Sequence, residues 1–155
     1  MTVWGSVDFN EFEELRDKLV GLEQSGAVDA FFTNLVKELT ARFLALVIPA
    51  TPVGLYPKDT GKTGGTLRRG WTAEKTVEEY VFSVTVIKSG SSYEIKILND
   101  VEYARYVEYG HRTPGGNGWV VGRFMMTISE IIINQEAPEL IKKRLEEFLE
   151  GVING

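Results

Sequence analysis

The sequence predicts an α+β fold in which a small antiparallel sheet of three or four strands packs against two or more long helices. Three observations support this prediction: long segments with apolar residues every three or four positions, short segments in which apolar and polar residues alternate, and long loops rich in glycine and proline. The 155 residues suffice for one domain with a buried core, and no repeat or boundary divides residues 1–155.

Two helices are predicted in the first third of the chain. Thr2 to Val7 is a candidate short strand, and Asp8 is a candidate cap for a helix that ends near Gly26. Its apolar positions recur at helical spacing, at Phe9, Phe12, Leu15, Leu19 and Leu22. A second helix, from about Val28 to Val47, carries a wide apolar stripe, and Pro49 is expected to stop it.

Residues 49–70 are predicted to form a long mobile loop, because they contain three prolines and five glycines without any periodicity. The run GKTGGT resembles a phosphate-binding loop, but its Lys62-Thr63 pair precedes two glycines and follows no strand, which disfavours nucleotide binding. Trp71 to Thr76 is expected to add a strand. Glu79 to Lys88 and Ser92 to Leu98 are expected to form a hairpin around Ser89-Gly90-Ser91.

A short aromatic helix is predicted next, capped by Asn99 or Asp100 and ended by Gly110. Asn99 and Glu102 have the spacing of a capping box, and Glu108 lies four positions before Arg112. Tyr103, Tyr106 and Val107 share one face of this helix.

Residues 111–119 then read as a glycine-rich loop without regular structure, with Trp119 either anchoring the loop to the core or contacting a partner. The chain closes with a predicted helix from Phe124 to Asn134 and a last helix that begins at Pro138.

Composition disfavours several kinds of chemistry. The chain has one histidine and no cysteine, so we expect no metal, no cofactor and no catalytic residue. A nuclease-like carboxylate cluster is a weak alternative, because two of its members, Glu102 and Glu108, point to different sides of one helix; the set is Asp59, Asp100, Glu102, Glu108 and His111. The longest apolar run, Phe43 to Ile48, is too short to cross a membrane.

Non-specific nucleic-acid binding is the stronger alternative. Arginines, which bind phosphates, and aromatic rings, which stack on bases, lie near each other in the sequence. The arginines are Arg68, Arg69, Arg112 and Arg123, and the rings are those of Trp71, Tyr109 and Trp119. The net charge of −5 opposes it. Acidic helices and basic loops could instead be complementary surfaces between copies, or simply solvated faces.

Two segments carry a resemblance to a known family. The first segment contains Tyr103-Ala104, Tyr106-Val107, Glu108, Tyr109, Gly110, His111-Arg112 and Gly122-Arg123-Phe124-Met125. The second contains Thr51-Pro52-Val53, Thr60-Gly61 and Leu67-Arg68-Arg69. With these motifs the chain resembles the tail-completion or head–tail joining family of long-tailed phages, typified by a tail-component protein of a Hong Kong lambdoid phage and also found in defective prophages.

The resemblance implies a structural protein rather than an enzyme. It implies a homo-oligomeric ring in the virion neck, assembled in the bacterial host cytoplasm, with the head connector and tail terminator as partners, passive contact with channel DNA and no membrane. On this basis we expect interface contacts from Arg68, Arg69, Trp71, Tyr106, Glu108, His111, Arg112 and Trp119.

Overall fold

The structure, a computed structural model, describes the backbone of residues 10–155 and, except at positions 10–13 and 15, their side chains. The predicted strand from Thr2 to Val7, the cap at Asp8, Phe9 and the side chains of Phe12 and Leu15 lie outside this description.

Six helices and four short strands make up the described part of the chain. The helices are α1 (Asn10–Gln24), α2 (Ala27–Ala50), α3 (Thr66–Gly70), α4 (Val77–Ser83), α5 (Ala104–Tyr109) and α6 (Met125–Asn154), with a 3₁₀ turn at Lys58–Thr60. The strands are β1 (Ile87–Ser89), β2 (Ser92–Glu94), β3 (Gly110–Arg112) and β4 (Trp119–Val121). The predicted α+β class is confirmed, and the protein is mostly helical.

The scaffold is an antiparallel pair of long helices, α2 and α6. Near one end the rings of Phe31 and Phe148 lie 4.6 Å apart, and further along Arg144 donates two hydrogen bonds of 2.9 Å to the Glu38 carboxylate. At the other end the fully buried core joins α2 to α3, the N-terminus of α6 and the turn after α3; it consists of Leu44, Val47, Leu67, Trp71 and Met125.

The four strands form two separate two-stranded antiparallel hairpins rather than one sheet of three or four strands. In the first hairpin Ser89 pairs with Ser92 around Gly90, whose φ of 58° suits glycine, so the predicted turn is confirmed. The strands are shorter than predicted.

Two segments predicted as strands are not strands. Glu79 to Ser83 belongs to α4, because Thr76 and Glu79 form a reciprocal capping box: the Glu79 N–H donates to Thr76 Oγ1 at 3.2 Å and the Thr76 N–H to Glu79 Oε2 at 3.0 Å. Trp71 to Thr76 is a series of turns that leads into this helix. The alternation of apolar and polar residues therefore predicted a strand where the structure has a helix.

The second hairpin, β3–β4, replaces most of the loop predicted at residues 111–119. Gly110 pairs with Val121, and Arg112 pairs with Trp119. Gly115 and Gly116 have φ of 90° and 77°, so the glycines that suggested irregular structure form the turn of a hairpin.

Both prolines expected to end or begin a helix lie inside one. α2 continues through Pro49 to Ala50, and α6 is a single helix through Pro138 rather than two. An interior proline costs about 3 kcal/mol because it removes one backbone hydrogen bond and crowds the preceding turn. In α6 the helix is held on both sides of Pro138, by buried Met125 before it and by the Arg144–Glu38 pair after it.

The aromatic helix α5 is shorter than predicted and is not capped by Asn99. It begins after Tyr103, whose side chain makes no capping bond. The Asn99 amide instead donates to the Leu67 carbonyl at 2.8 Å and accepts from the Val101 N–H at 3.2 Å, which ties α3 to the segment before α5. Gly110 ends the helix as predicted, with φ of 85°. Among residues 10–155, no helix combines the length and hydropathy needed for a membrane span.

Candidate functional site

The basic end of the long segment 49–70 is fixed to α2. Arg68 Nε donates to the Thr51 carbonyl at 2.6 Å, and its terminal nitrogen donates to the Pro49 carbonyl at 3.2 Å. Carbonyls at a helix C-terminus lack intrahelical donors and carry the negative end of the helix dipole, so a guanidinium is well suited to them. Arg69 points outward and donates only to nearby groups of its own loop. The segment predicted to be a loop therefore ends in a short helix, α3 (Thr66–Gly70), which these hydrogen bonds tie to the end of α2.

Trp71 is a core residue that holds the same junction. Its side chain is 3% exposed, and its indole N–H donates to Thr51 Oγ1 at 2.8 Å. The Thr51 hydroxyl in turn donates to the Val47 carbonyl at 2.6 Å. A partner protein cannot reach the Trp71 ring in this conformation, so we leave it out of the proposed contact surface.

Glu108 is also internal, and it caps α6. It is 3% exposed and accepts from the N–H groups of Met126 and Thr127 at 2.9 Å each and from the Thr127 hydroxyl at 2.6 Å. These are N–H groups of the first helical turn, which have no partner within the helix. The four-residue spacing from Glu108 to Arg112 does not produce an ion pair between them. Sequence spacing gave no indication of this cap, because acceptor and helix are more than 15 residues apart.

The β3–β4 hairpin presents the most exposed apolar surface near these residues. Trp119 and Val121 lie on one face of β4 and are 59% and 73% exposed. Arg112 pairs with Trp119 and lies on the same face. Gly110 is required beside them: a Cβ there would collide with the Val120 carbonyl oxygen and would lie 3.0 Å from Trp119 Nε1.

The outer edge of β4 is unpaired. The hydrogen bond from the Thr113 N–H to the Gly118 carbonyl, 3.0 Å, extends the register of the hairpin and identifies the pairs that face each other. It follows that the N–H and C=O groups of Trp119 and Val121 point away from β3. Within residues 10–155 no third strand joins this hairpin.

The opposite side of β3 borders the exposed aromatic residues of α5. The rings of Tyr106 and His111 meet edge to face at 6.0 Å, and the Arg105 guanidinium lies 4.9 Å from the Tyr106 ring centre. Tyr103, Tyr106, Val107, His111 and Arg112 line a shallow open depression. His111 Nδ1 is buried and has no hydrogen-bond partner among the described residues.

The geometry therefore sorts the eight predicted interface residues into two groups. Arg68, Trp71 and Glu108 make hydrogen bonds within the chain, and they hold α2, α3 and α6 in place. The other five are exposed or half-buried: Arg69, Tyr106, His111, Arg112 and Trp119. Val121, which sequence reasoning did not single out, is more exposed than any of the predicted aromatic contacts.

The carboxylates considered for a nuclease site do not form one around Glu108, whose two oxygens are used by the α6 N-terminus. In the part of the chain that the structure describes, no group of three or more His, Asp or Glu side chains is placed to hold a metal ion.

The chain is thus a mostly helical α+β protein with an exposed apolar hairpin between α5 and α6. A family model described as "Bacteriophage HK97-gp10, putative tail-component" matches residues 13–110. Because the match spans more than half of the chain, the chain belongs to this family, and the predicted resemblance is confirmed. Membership indicates a phage tail component. No curated protein and no solved structure gives a significant match.

Proposed function

We propose that the chain joins head and tail as a ring component of the phage neck. The head connector and the tail terminator are its neighbours, and copies associate in the assembled particle within the bacterial host. Membership of a tail-component family supports the structural part of this proposal. The role is one of geometry and contact, and we assign no catalytic residue to it.

The exposure of Trp119 and Val121 is the observation that carries the proposal. Tryptophan is enriched among the residues that dominate binding energy at interfaces, and adjacent exposed apolar side chains mark such surfaces. An unpaired edge strand without charges is a liability in an isolated protein. The outer edge of β4 has no charged residue, since Trp119, Val120 and Val121 form the strand. Contact with a neighbour in the neck would cover both features.

Contact with DNA is the second role we propose, and it is passive. Arg112 and the stacked Arg105–Tyr106 pair are exposed and could touch phosphates in the channel. Arg68 and Trp71, two of the groups that favoured nucleic-acid binding, are engaged within the subunit, which weakens the case for a dedicated DNA-binding module.

The double change Trp119→Ser and Val121→Ser tests the proposal. Both side chains are largely exposed, so the free energy of unfolding should stay within about 1 kcal/mol of the wild type. Loss of two interface contacts should lower the yield of joined, infectious particles by roughly a hundredfold. The measurement is complementation of a phage that lacks the gene, with particle counts by electron microscopy.

Phe82→Ser is the matched control, because Phe82 is 86% exposed but lies on α4, outside the hairpin. It should complement normally. If the variant with both Trp119→Ser and Val121→Ser folds, reaches wild-type levels and still restores joining, the hairpin has no role in joining.

A further inference from the structure

The hairpin and the far end of α6 lie at opposite ends of the same helix. With 30 residues, α6 is about 45 Å long, and the hairpin leads directly into its N-terminus. Its C-terminal end packs near α1, where Lys18 Nζ donates to the Ile153 carbonyl at 3.3 Å. One subunit therefore presents two well-separated surfaces.

The hairpin surface is apolar with a basic rim. Residues 109–129 contain Arg112 and Arg123 and no acidic residue. Both arginines are exposed, and within the described residues neither forms an ion pair. The apolar centre of this surface is Trp119 and Val121.

The far end of α6 is apolar with an acidic rim. Glu146, Glu150 and Ile153 follow each other at spacings of four and three residues, so they share one face of the helix. All three are exposed, Ile153 by 55%. The neighbouring α1 carries the exposed apolar residues Leu19 and Val20 and one exposed cation, Lys18, which bonds to the Ile153 carbonyl.

We propose that the hairpin of one copy docks on the acidic end of α6 in a second copy. This inference rests on the proposed ring function and names the contact that would build the ring. Two hairpins facing each other across a two-fold axis would bring two basic surfaces together, whereas a head-to-tail contact places arginines opposite glutamates. Head-to-tail contacts repeat, and they close into a ring when the rotation between neighbours allows it.

The contact combines apolar burial with charges that salt screens. At physiological ionic strength the screening length is about 8 Å, so only the arginine and glutamate side chains in direct contact contribute strongly. The rim charges select the orientation and the partner surface, and the Trp119 and Val121 side chains supply the burial.

Site-specific cross-linking tests the head-to-tail orientation. Because the chain contains no cysteine, each introduced thiol is the only one in its variant. Asn117→Cys puts a thiol at the hairpin turn and leaves Trp119 and Val121 intact. Asn154→Cys puts one four residues after Glu150 and next to Ile153, at an exposed position on the side of α6 that carries Glu150. The two full-length variants are mixed and treated with a short bis-maleimide.

We expect the mixture to give at least about fivefold more cross-linked dimer than either variant alone. A chain that carries both cysteines should give a ladder of trimers and larger species. Adding Arg112→Glu and Arg123→Glu to the hairpin variant should lower the dimer yield at least about fivefold. Ser91→Cys, in the turn of the other hairpin, replaces Asn117→Cys as the control and should give background dimer.

Two results would overturn the inference. Cross-linking of Asn117→Cys alone to the same extent as the mixture would indicate a two-fold contact between hairpins. A dimer yield from the mixture no higher than that of the Ser91→Cys control would show that the hairpin does not reach this end of α6. In either case, if Trp119→Ser with Val121→Ser still blocks joining, the proposed role in joining stands and the hairpin makes a different contact in the neck.

Discussion

Arg68 and Arg69 are adjacent on α3, but only Arg68 reaches another helix. Its two hydrogen bonds to carbonyls of α2 are made by a charged donor, and bonds of this kind are worth about 1.5–3 kcal/mol. Arg69 is exposed and bonds weakly within its own loop. The two arginines therefore differ in role: Arg68 stabilises the fold, and Arg69 places a positive charge at the surface.

Arg68→Ala should lower the free energy of unfolding by about 2 kcal/mol, because it leaves the Thr51 and Pro49 carbonyls without their donor at the end of α2. Arg69→Ala should change it by less than about 0.5 kcal/mol. Urea unfolding of the two variants beside the wild type measures the difference. Equal effects of the two changes would show that the Arg68 bonds do not support the fold.

At the scale of elements, the sequence predicted the long helices and the first hairpin turn, because strong periodicity and turn glycines are local signals. It missed α4, where Thr76 and Glu79 have capping-box spacing but the following residues also alternate. It missed the second hairpin, because the strands on either side of Gly115 and Gly116 are three residues long, too short to show an alternation of apolar and polar residues. The roles of Arg68 and Glu108 depend on partners 17 to 19 residues away, which no local pattern encodes.

The pair between α2 and α6 should make stability depend on pH. Hydrogen bonds from the Arg144 guanidinium lower the pKa of Glu38 from 4.5 to about 2. A carboxyl whose pKa is lower in the folded state stabilises the protein above its unfolded pKa. That contribution is lost as the pH falls from about 4.5 to about 2. Partial exposure of the pair reduces its contribution to about 1–2 kcal/mol.

Glu38→Gln keeps the shape of the side chain and removes its charge. Between about pH 6 and about pH 2.5 the wild type should therefore lose about 1–2 kcal/mol more stability than the variant, measured by denaturant unfolding at each pH. Other acidic groups titrate in both proteins, so their contributions to the pH dependence of stability cancel in the comparison. Parallel pH profiles would contradict the stabilising role of the Glu38–Arg144 pair.

For the whole molecule, the internal bonds and the exposed hairpin divide the chain into a scaffold and a proposed contact surface. α2 and α6 form the scaffold, and Arg68, Trp71 and Glu108 fix the short elements to it. The family match covers residues 13–110 and ends where β3 begins, so it includes α2 through α5 but not β4 or α6. Family membership thus supports a tail component, and the proposed contact surface follows from the geometry of the hairpin.

Removal of the gene from the phage or prophage that carries it tests the central claim most directly. Electron microscopy of the lysate should show DNA-filled heads and separate tails of normal length, and a plasmid copy of the wild-type gene should restore joined particles. Joined virions in the absence of the gene, or tails of abnormal length as the sole defect, would contradict a role in joining head to tail.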